Sequence, residues 1–311
     1  MRDPFALPPG RVQVAFSGGR TSAYMLRRLL DANPDAMRDD DRVQVVFSNT
    51  GREMPETLDF VAEVGRRWEV PIAWVEWRPR ATDGIAFLDD EDAAGLRCRA
   101  WVESEAVGQD APRYALTGWQ GADRDGVLFE AFVRHKKFLP NLRFRICTQH
   151  LKVRPARDYL RALGWKHWTA AIGIRADEPH RIEGRADLRE RWTRWLPLAD
   201  AGIDKAQVTA FWREQPFDLR LENVRRSKPW GNCDGCLLNS EAVLARLAAE
   251  YPERHAWWER MEALAQRLTA GSGGRWSKRY SRIELRETME RRGDFLLSTE
   301  GALCQASDGD C

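Results

Sequence analysis

Three groups of residues in this chain have types and spacings that could do chemistry. The first is Ser17-Gly18-Gly19-Arg20-Thr21-Ser22, directly after the apolar run 12–16. Two glycines remove the Cβ atoms that would block an anion, and a helix starting here would present unpaired N–H groups at the positive end of its dipole. That makes a phosphate cradle with hydroxyls as added donors. It is neither G-x-x-x-x-G-K-[ST] nor G-x-G-x-x-G, and a Gly-Gly turn between strand and helix also occurs as a plain tight turn. The second group is the pair Cys233 and Cys236 in P-W-G-N-C-D-G-C, a turn that aims two sulfurs inward and suits zinc or an iron–sulfur cluster. A zinc site would need two further ligands, and no second C-x-x-C or H-x-x-x-H exists. The third group is cationic: Lys152, Arg175 and Arg181 could neutralise phosphates, arginine as a bidentate fork and lysine as a point charge. For Arg175 the plainer reading is an ion pair with Asp177 or Glu178.

Strands and helices must bring these groups together. A strand from Val12 feeds the first turn. A second strand, Val43–Phe47, ends in Ser48-Asn49-Thr50-Gly51 before a helix with Leu58, Val61, Ala62 and Val64 as its apolar positions. Residues 70–77, β-branched and aromatic, predict a third strand. Residues 78–127 are irregular and read as an insertion or lid. Helices are expected over 127–137, 154–163 and 203–214, and a buried strand over 167–174. A long helical region is expected over 240–268 with Ser240 as its cap, followed by a flexible basic stretch over 270–282. Strands alternating with helices imply an α/β, doubly wound, mostly parallel sheet, in which ligands sit at the carboxyl ends of the strands. The two polar turns would then face one crevice. The expected division is a nucleotide-binding α/β domain over 1–228, then a C-x-x-C loop, a helical region and a polar tail over 229–311.

S-G-G-R-T-S followed by F-S-N-T-G-R-E-M-P-E-T-L-D-F-V resembles the PP-loop ATP pyrophosphatases, and in detail the phosphoadenosine phosphosulfate (PAPS) reductase family of adenine nucleotide α-hydrolases. Further pieces agree in order: Arg143, Arg145, Cys147 and Lys152, then Gly173, Arg175, Glu178 and Arg181, then Pro197 and Leu198. The resemblance spans roughly residues 12 to 240. It implies an adenine nucleotide, ATP with Mg²⁺, held by Ser17, Gly18, Gly19, Arg20, Thr21, Ser22, Asn49, Thr50, Gly51, Gly173 and Arg181, with Lys152 and Arg175 as catalytic residues.

The resemblance also implies Cys147 as a third ligand beside Cys233 and Cys236. Cluster-containing reductases of the family carry a tandem cysteine pair here, and this chain has Thr148 as the second residue. Three cysteines imply a 4Fe–4S cluster with one iron open, the arrangement of the resembling tRNA-thiolating enzymes; Cys98, Cys304 or Cys311 could otherwise supply a fourth ligand. Two chemistries share the scaffold. In one, ATP adenylates an acceptor, a nucleic acid, and sulfur then displaces AMP, as in tRNA thiolation or DNA phosphorothioation, with a sulfur-donor protein such as a cysteine desulfurase as partner. In the other, a tail thiolate attacks the sulfate of PAPS. The E-C-G-[LI]-H motif carrying that thiol in the reductases is absent, which favours the first. A non-catalytic nucleotide-binding subunit is the third possibility.

Forty-nine basic residues against 47 acidic ones leave a formal charge of +2, so nucleic-acid binding would rest on local clusters. Basic stretches interleaved with aromatics, at 134–138, 189–195 and 275–282, are the candidates, each also readable as solvated surface. No apolar run approaches the ~20 residues of a membrane helix and no export signal precedes the first strand, so a cytoplasmic protein is expected.

Overall fold

The computed structural model describes residues 3–39, 41–183, 190–221, 233–269 and 274–292. Cys304 and Cys311, and residues 222–232 leading into the C-x-x-C turn, lie outside them. Strands and helices alternate first as expected: β1 (Val12–Ala15), α1 (Arg20–Ala32), β2 (Val43–Asn49), α2 (Pro55–Arg67) and β3 (Ile72–Trp77). Then follow α3 (Ala93–Glu105), β4 (Tyr114–Thr117), α4 (Val127–Lys136), a π-helical segment over Thr148–Val153, α5 (Arg154–Ala162) and β5 (Trp168–Ile172). The short α6 (Pro179–Ile182), β6 (Trp192–Trp195), the short α7 (Pro197–Asp200), α8 (Lys205–Glu214), α9 (Glu241–Glu250), α10 (Pro252–Leu268) and α11 (Arg282–Arg292) complete the order.

The six strands form one sheet in the order β4-β3-β2-β1-β5-β6, parallel throughout except for the antiparallel pair β3–β4. The chain winds outward from β1 to β4, then returns to the other side of β1. That reversal puts the topological switch between β1 and β5, where an open α/β sheet leaves a crevice at its carboxyl edge. Val12 and Val14 are fully buried in the central strand, and α1 covers it with Met25, Leu26 and Leu29. Pro55 starts α2 at a position where its missing N–H costs nothing, and Leu58, Val61 and Val64 face the core.

Four expectations change. Residues 78–127 are not a lid: they contain α3, capped by Asp92 accepting from the Gly95 N–H at 2.7 Å, and β4, which completes one sheet edge. Within 189–195, Trp192 belongs to edge strand β6 and stacks on Trp168 at 5.5 Å, so this aromatic serves the fold. The helical region over 240–268 breaks at Tyr251–Pro252, because proline cannot continue a helix but can begin one. In the stretch expected to be flexible, Trp276 and Arg282 are buried, and Trp276 donates its backbone N–H to Glu262 and its indole N–H to the Trp258 carbonyl.

Phe129 of α4 packs edge-on against Trp257, Trp258 and Trp276, so one aromatic core joins the sheet's helices to α10. Arg134 is part of this interior, paired with Glu91 and Glu130, and is unavailable to an outside partner.

Candidate functional site

The first turn leaves β1 with Gly18 at φ +80°, and a Cβ there would lie 2.8 Å from Thr57 Cγ2 and 2.9 Å from Val61 Cγ2. The glycine is therefore required by a left-handed backbone packed against α2. Gly19 is the N-cap of α1 with no side-chain cap, which leaves the first-turn N–H groups of the helix to another acceptor. Ser17 and Ser22 fold onto one another, Oγ to Oγ at 2.8 Å, and Ser22 also donates to the Gly19 carbonyl. Thr21 accepts from Nη1 of Arg175 at 3.2 Å. Arg20 turns away: its guanidinium makes a bidentate pair with Asp218 at 2.6 and 2.7 Å and also reaches the Leu221 carbonyl. At the end of β5, a Cβ on Gly173 would stand 3.2 Å from Ser22 Cα, so glycine lets the end of β5 close on the first turn of α1.

The second turn is braced from within. Asn49 donates to Glu76 at 2.7 Å and to the Asp123 carbonyl, while its own oxygen accepts from the Gly51 N–H. Gly51, at φ +78°, leaves no room for a side chain beside Asp123. Thr50 binds Glu53 through both N–H and hydroxyl, and its Oγ1 lies 3.1 Å from Cys233 Sγ.

A cleft of about 250 Å³ opens at the switch point. Ser17, Ser48, Thr148, Lys152, Gly173 and Arg181 line its polar part, and Val46, Ala156, Trp168, Ala170, Ile172 and Trp192 its apolar part. That combination suits a nucleotide-sized ligand. Of the candidate nucleotide contacts, Ser17, Gly173 and Arg181 line the cleft; Arg20, Asn49 and Gly51 are engaged in holding the surrounding turns. Arg175 is buried, bound to Asp177 at 2.8 Å and 3.7 Å from Glu178, which in turn holds Arg181 at 2.9 Å. The ion-pair reading of Arg175 is thus what its geometry shows, with Thr21 as its link to the cradle. No carboxylate is among the described residues lining the cleft, so a Mg²⁺ arriving with ATP would be held through phosphate oxygens and water.

Beside the cleft lies a smaller cavity lined by Cys147, Cys233 and Cys236 with Thr50, Phe129, Arg145, Thr148, Lys152, Leu237 and Leu238. The fold brings together a cysteine at the start of the π-helical segment and a C-x-x-C turn more than eighty residues later. The turn is anchored on the strand-end loop: Cys233 bridges Glu53, and the Asp234 N–H donates to the Arg52 carbonyl at 2.9 Å. Burial pushes all three thiols up, Cys147 to about 11 with the neighbouring Cys236 adding to it. Burial would lower Lys152, but Cys233, Glu53, Cys236 and Cys147 outweigh it and hold the ammonium charged above its ordinary range. Among the described residues no group of three or more His, Cys, Asp or Glu side chains is placed to hold a metal ion, so the expected site at Cys147, Cys233 and Cys236 is not found as a formed metal site. The donor set facing the cavity is three sulfurs. Cys98 is elsewhere, buried between α3 and α4 with its Sγ 3.8 Å from the Val127 carbonyl.

Several residues that shape this site carried no sequence signal. Asp234, between the two cysteines, is fully buried and accepts from Arg52, Arg254 and the Trp258 indole. Arg282 donates to the Gly235 carbonyl at 2.7 Å from the start of α11. Only the Asp in C-D-G-C was visible in a motif, and nothing in its spacing announces three partners.

The fold is that of an α/β protein with a cleft at the topological switch point of its sheet. Residues 11–97 match the family described as the phosphoadenosine phosphosulfate reductase domain. The chain is 32% identical over 232 residues to the uncharacterized nin region protein ORF290 of Escherichia phage lambda, taking in 73% of this chain and 66% of that protein, just under two thirds of its length. The PAPS reductase of Candida auris, solved as a phosphate complex, is similar at 16% identity and a TM-score of 0.37, over 68% of this chain and 79% of that one. Over residues 11–97 the chain is thus similar to the PAPS reductase domain family. Among the described residues no helix is long and apolar enough to cross a membrane.

Proposed function

We propose that the protein cleaves ATP between its α- and β-phosphates, adenylates an oxygen of a nucleic-acid acceptor, and so prepares it for iron–sulfur-dependent sulfur incorporation. The observation that carries this reading is that Lys152 and Thr148 line both the nucleotide cleft and the three-cysteine cavity. A nucleotide and a sulfur centre would share one wall.

In the adenylation step the acceptor oxygen forms a bond to the α-phosphorus, the bond to the bridging oxygen breaks, and pyrophosphate leaves with the electron pair while the acceptor loses its proton. Lys152, Arg181 and the first-turn N–H groups of α1 would meet the charge that develops on the phosphates. A sulfide-level sulfur then displaces AMP, forming the bond to the acceptor as the acceptor–oxygen bond breaks. A 4Fe–4S cluster held by Cys147, Cys233 and Cys236 would supply that sulfur chemistry when bound, and a cysteine desulfurase would be the upstream donor.

The test is anaerobic purification with iron and sulfide analysis, followed by incubation with ATP. AMP and pyrophosphate are the expected products, unchanged on truncation before Cys304; ADP and phosphate, or no cleavage at all, would overturn the adenylation reading. The family match supports a second reading, sulfonucleotide reduction. Sulfite release from PAPS with thioredoxin would establish it instead. Nucleotide binding without either product would mark a non-catalytic subunit.

A further inference from the structure

Arg20, Arg52, Arg78, Arg113, Arg134 and Arg175 each meet a carboxylate. A group of five other cations does not. Lys136 and Lys137 end α4, Arg143 and Arg145 flank the approach to Cys147, and Arg154 begins α5; none of the five pairs with a carboxylate among the described residues. Lys136 and Arg154 share a neighbourhood, shown by the groups between them. Lys136 Nζ stands 3.2 Å from His135 Nε2. Burial, with Arg113 and Arg154 nearby, pushes Lys136 down. His150 falls to about 3 through burial and the charges of Lys136, Arg154, His135 and Arg113. The carboxylate facing this cluster, Asp83, is taken up by Arg113 and lies 3.8 Å from His135.

The turn that carries Arg143 and Arg145 presents apolar surface. Leu142 is 55% exposed and Phe144 52% exposed. The turn that carries them is braced: Asn141 Oδ1 accepts from the N–H groups of Arg143 and Phe144 at 3.0 and 2.9 Å, and the Asn141 N–H donates to the Phe144 carbonyl. Arg143 lies over the Phe144 ring at 5.4 Å. Arg145 is exposed and also lines the three-cysteine cavity, so this turn adjoins the cavity.

We propose that Lys136, Lys137, Arg143, Arg145 and Arg154 around Phe144 form the docking surface for a single-stranded nucleic acid, with an unpaired base stacked on Phe144 and the backbone led toward the cysteine cavity. The proposal rests on the reading of a nucleic acid as the acceptor and adds its form and its path. Uncompensated cations repel one another and are relieved by a polyanion, which releases its counterions on binding. A rigidly presented aromatic beside arginine is a stacking platform, and a duplex keeps its base faces to itself. An acidic protein would meet the charges but has no general use for the exposed ring.

The test measures binding without ATP, so its outcome is separate from that of the cleavage assay. The full-length protein is titrated against a labelled mixed-sequence 20-nucleotide single strand, as DNA and as RNA, against the matching duplex, and against polyglutamate as competitor. Phe144→Ala is expected to weaken single-strand binding by about 5- to 150-fold, the loss of one stacked base. Arg143→Gln is expected to flatten the salt dependence by about 0.7 in log–log slope. Both residues are at the surface, and circular dichroism of each variant checks that it is folded. Unchanged affinity in both variants would overturn the proposal. So would duplex binding as tight as single-strand binding and indifferent to Phe144, or displacement by polyglutamate at equal charge, which would assign the face to an acidic protein.

Discussion

The carboxylate of Asp234 takes a 2.7 Å hydrogen bond from Nη2 of Arg52, and both side chains are buried. One partner follows the nucleotide-side strand β2; the other sits between the two cysteines of the C-x-x-C turn. Arg254 and the Trp258 indole bind the same carboxylate from α10. This contact is what fixes the cysteine turn to the sheet. Asp234→Asn should strand the buried guanidinium of Arg52 and the half-buried one of Arg254 without their anion and cost about 3–5 kcal/mol of stability. Urea unfolding checks it, and a change below about 1 kcal/mol would show that the pair does not hold the turn.

At Gly18 the physical reason for glycine is packing against α2, since a Cβ would sit under 3.0 Å from both Thr57 and Val61 on a left-handed backbone. Gly18→Ala should therefore lose about 1–3 kcal/mol of stability even without nucleotide. Thermal melting of the ligand-free variant measures this. An unshifted melting temperature together with lost ATP affinity would instead mean that the space belongs to the ligand.

The central strands and their turns were legible because buried parallel strands read as apolar runs and their ends carry Gly and small polar residues: Val12–Ala15 and Val43–Asn49 show both. The outer strands were not. β4 has no buried residue and β6 has partly exposed tryptophans, so neither shows the apolar run of an inner strand. In α3 only Gly95 and Cys98 are buried, leaving no stripe for periodicity to find. At the site, the cysteines and Lys152 stand out by type, and the fold gathers them at one cavity. The residues that hold them, Arg52, Asp234 and Arg282, are ordinary charged residues whose burial is decided by tertiary packing.

Asp123 links the second turn to β3: its carboxylate accepts from the N–H groups of Asp125, Gly126 and Leu128, and burial with Glu76 close by raises its pKa to about 7. Above its unfolded value of 3.8 the folded form holds the proton more tightly than the unfolded chain. This contribution to stability is full below pH 3.8 and is lost as pH rises toward 7. The slope is at most about 1.4 kcal/mol per pH unit. Asp123→Asn should flatten the stability curve across that window, and chemical denaturation at several pH values would show it; an unaltered slope would mean the carboxyl is ionised throughout.

Lys152 stands where the two cavities meet, beside Cys233, Glu53, Cys236 and Cys147, and its ammonium is held above its ordinary range against the effect of burial. If that charge stabilises phosphate as the α–β bond breaks, its effect is larger in the transition state than in the bound ATP. Lys152→Gln should then lower kcat for ATP cleavage by about 100- to 1000-fold while KM changes far less. Lys152→Met, which keeps the volume and loses the charge, should fare no better. Steady-state kinetics of the pair separates the alternatives: recovery in Lys152→Met would show that the side chain only fills the wall between the cavities, and a rise in KM with kcat unchanged would make it a binding residue. Lys152→Arg retains charge but spreads it over a planar fork, so it should recover part of the rate if charge is what the reaction uses.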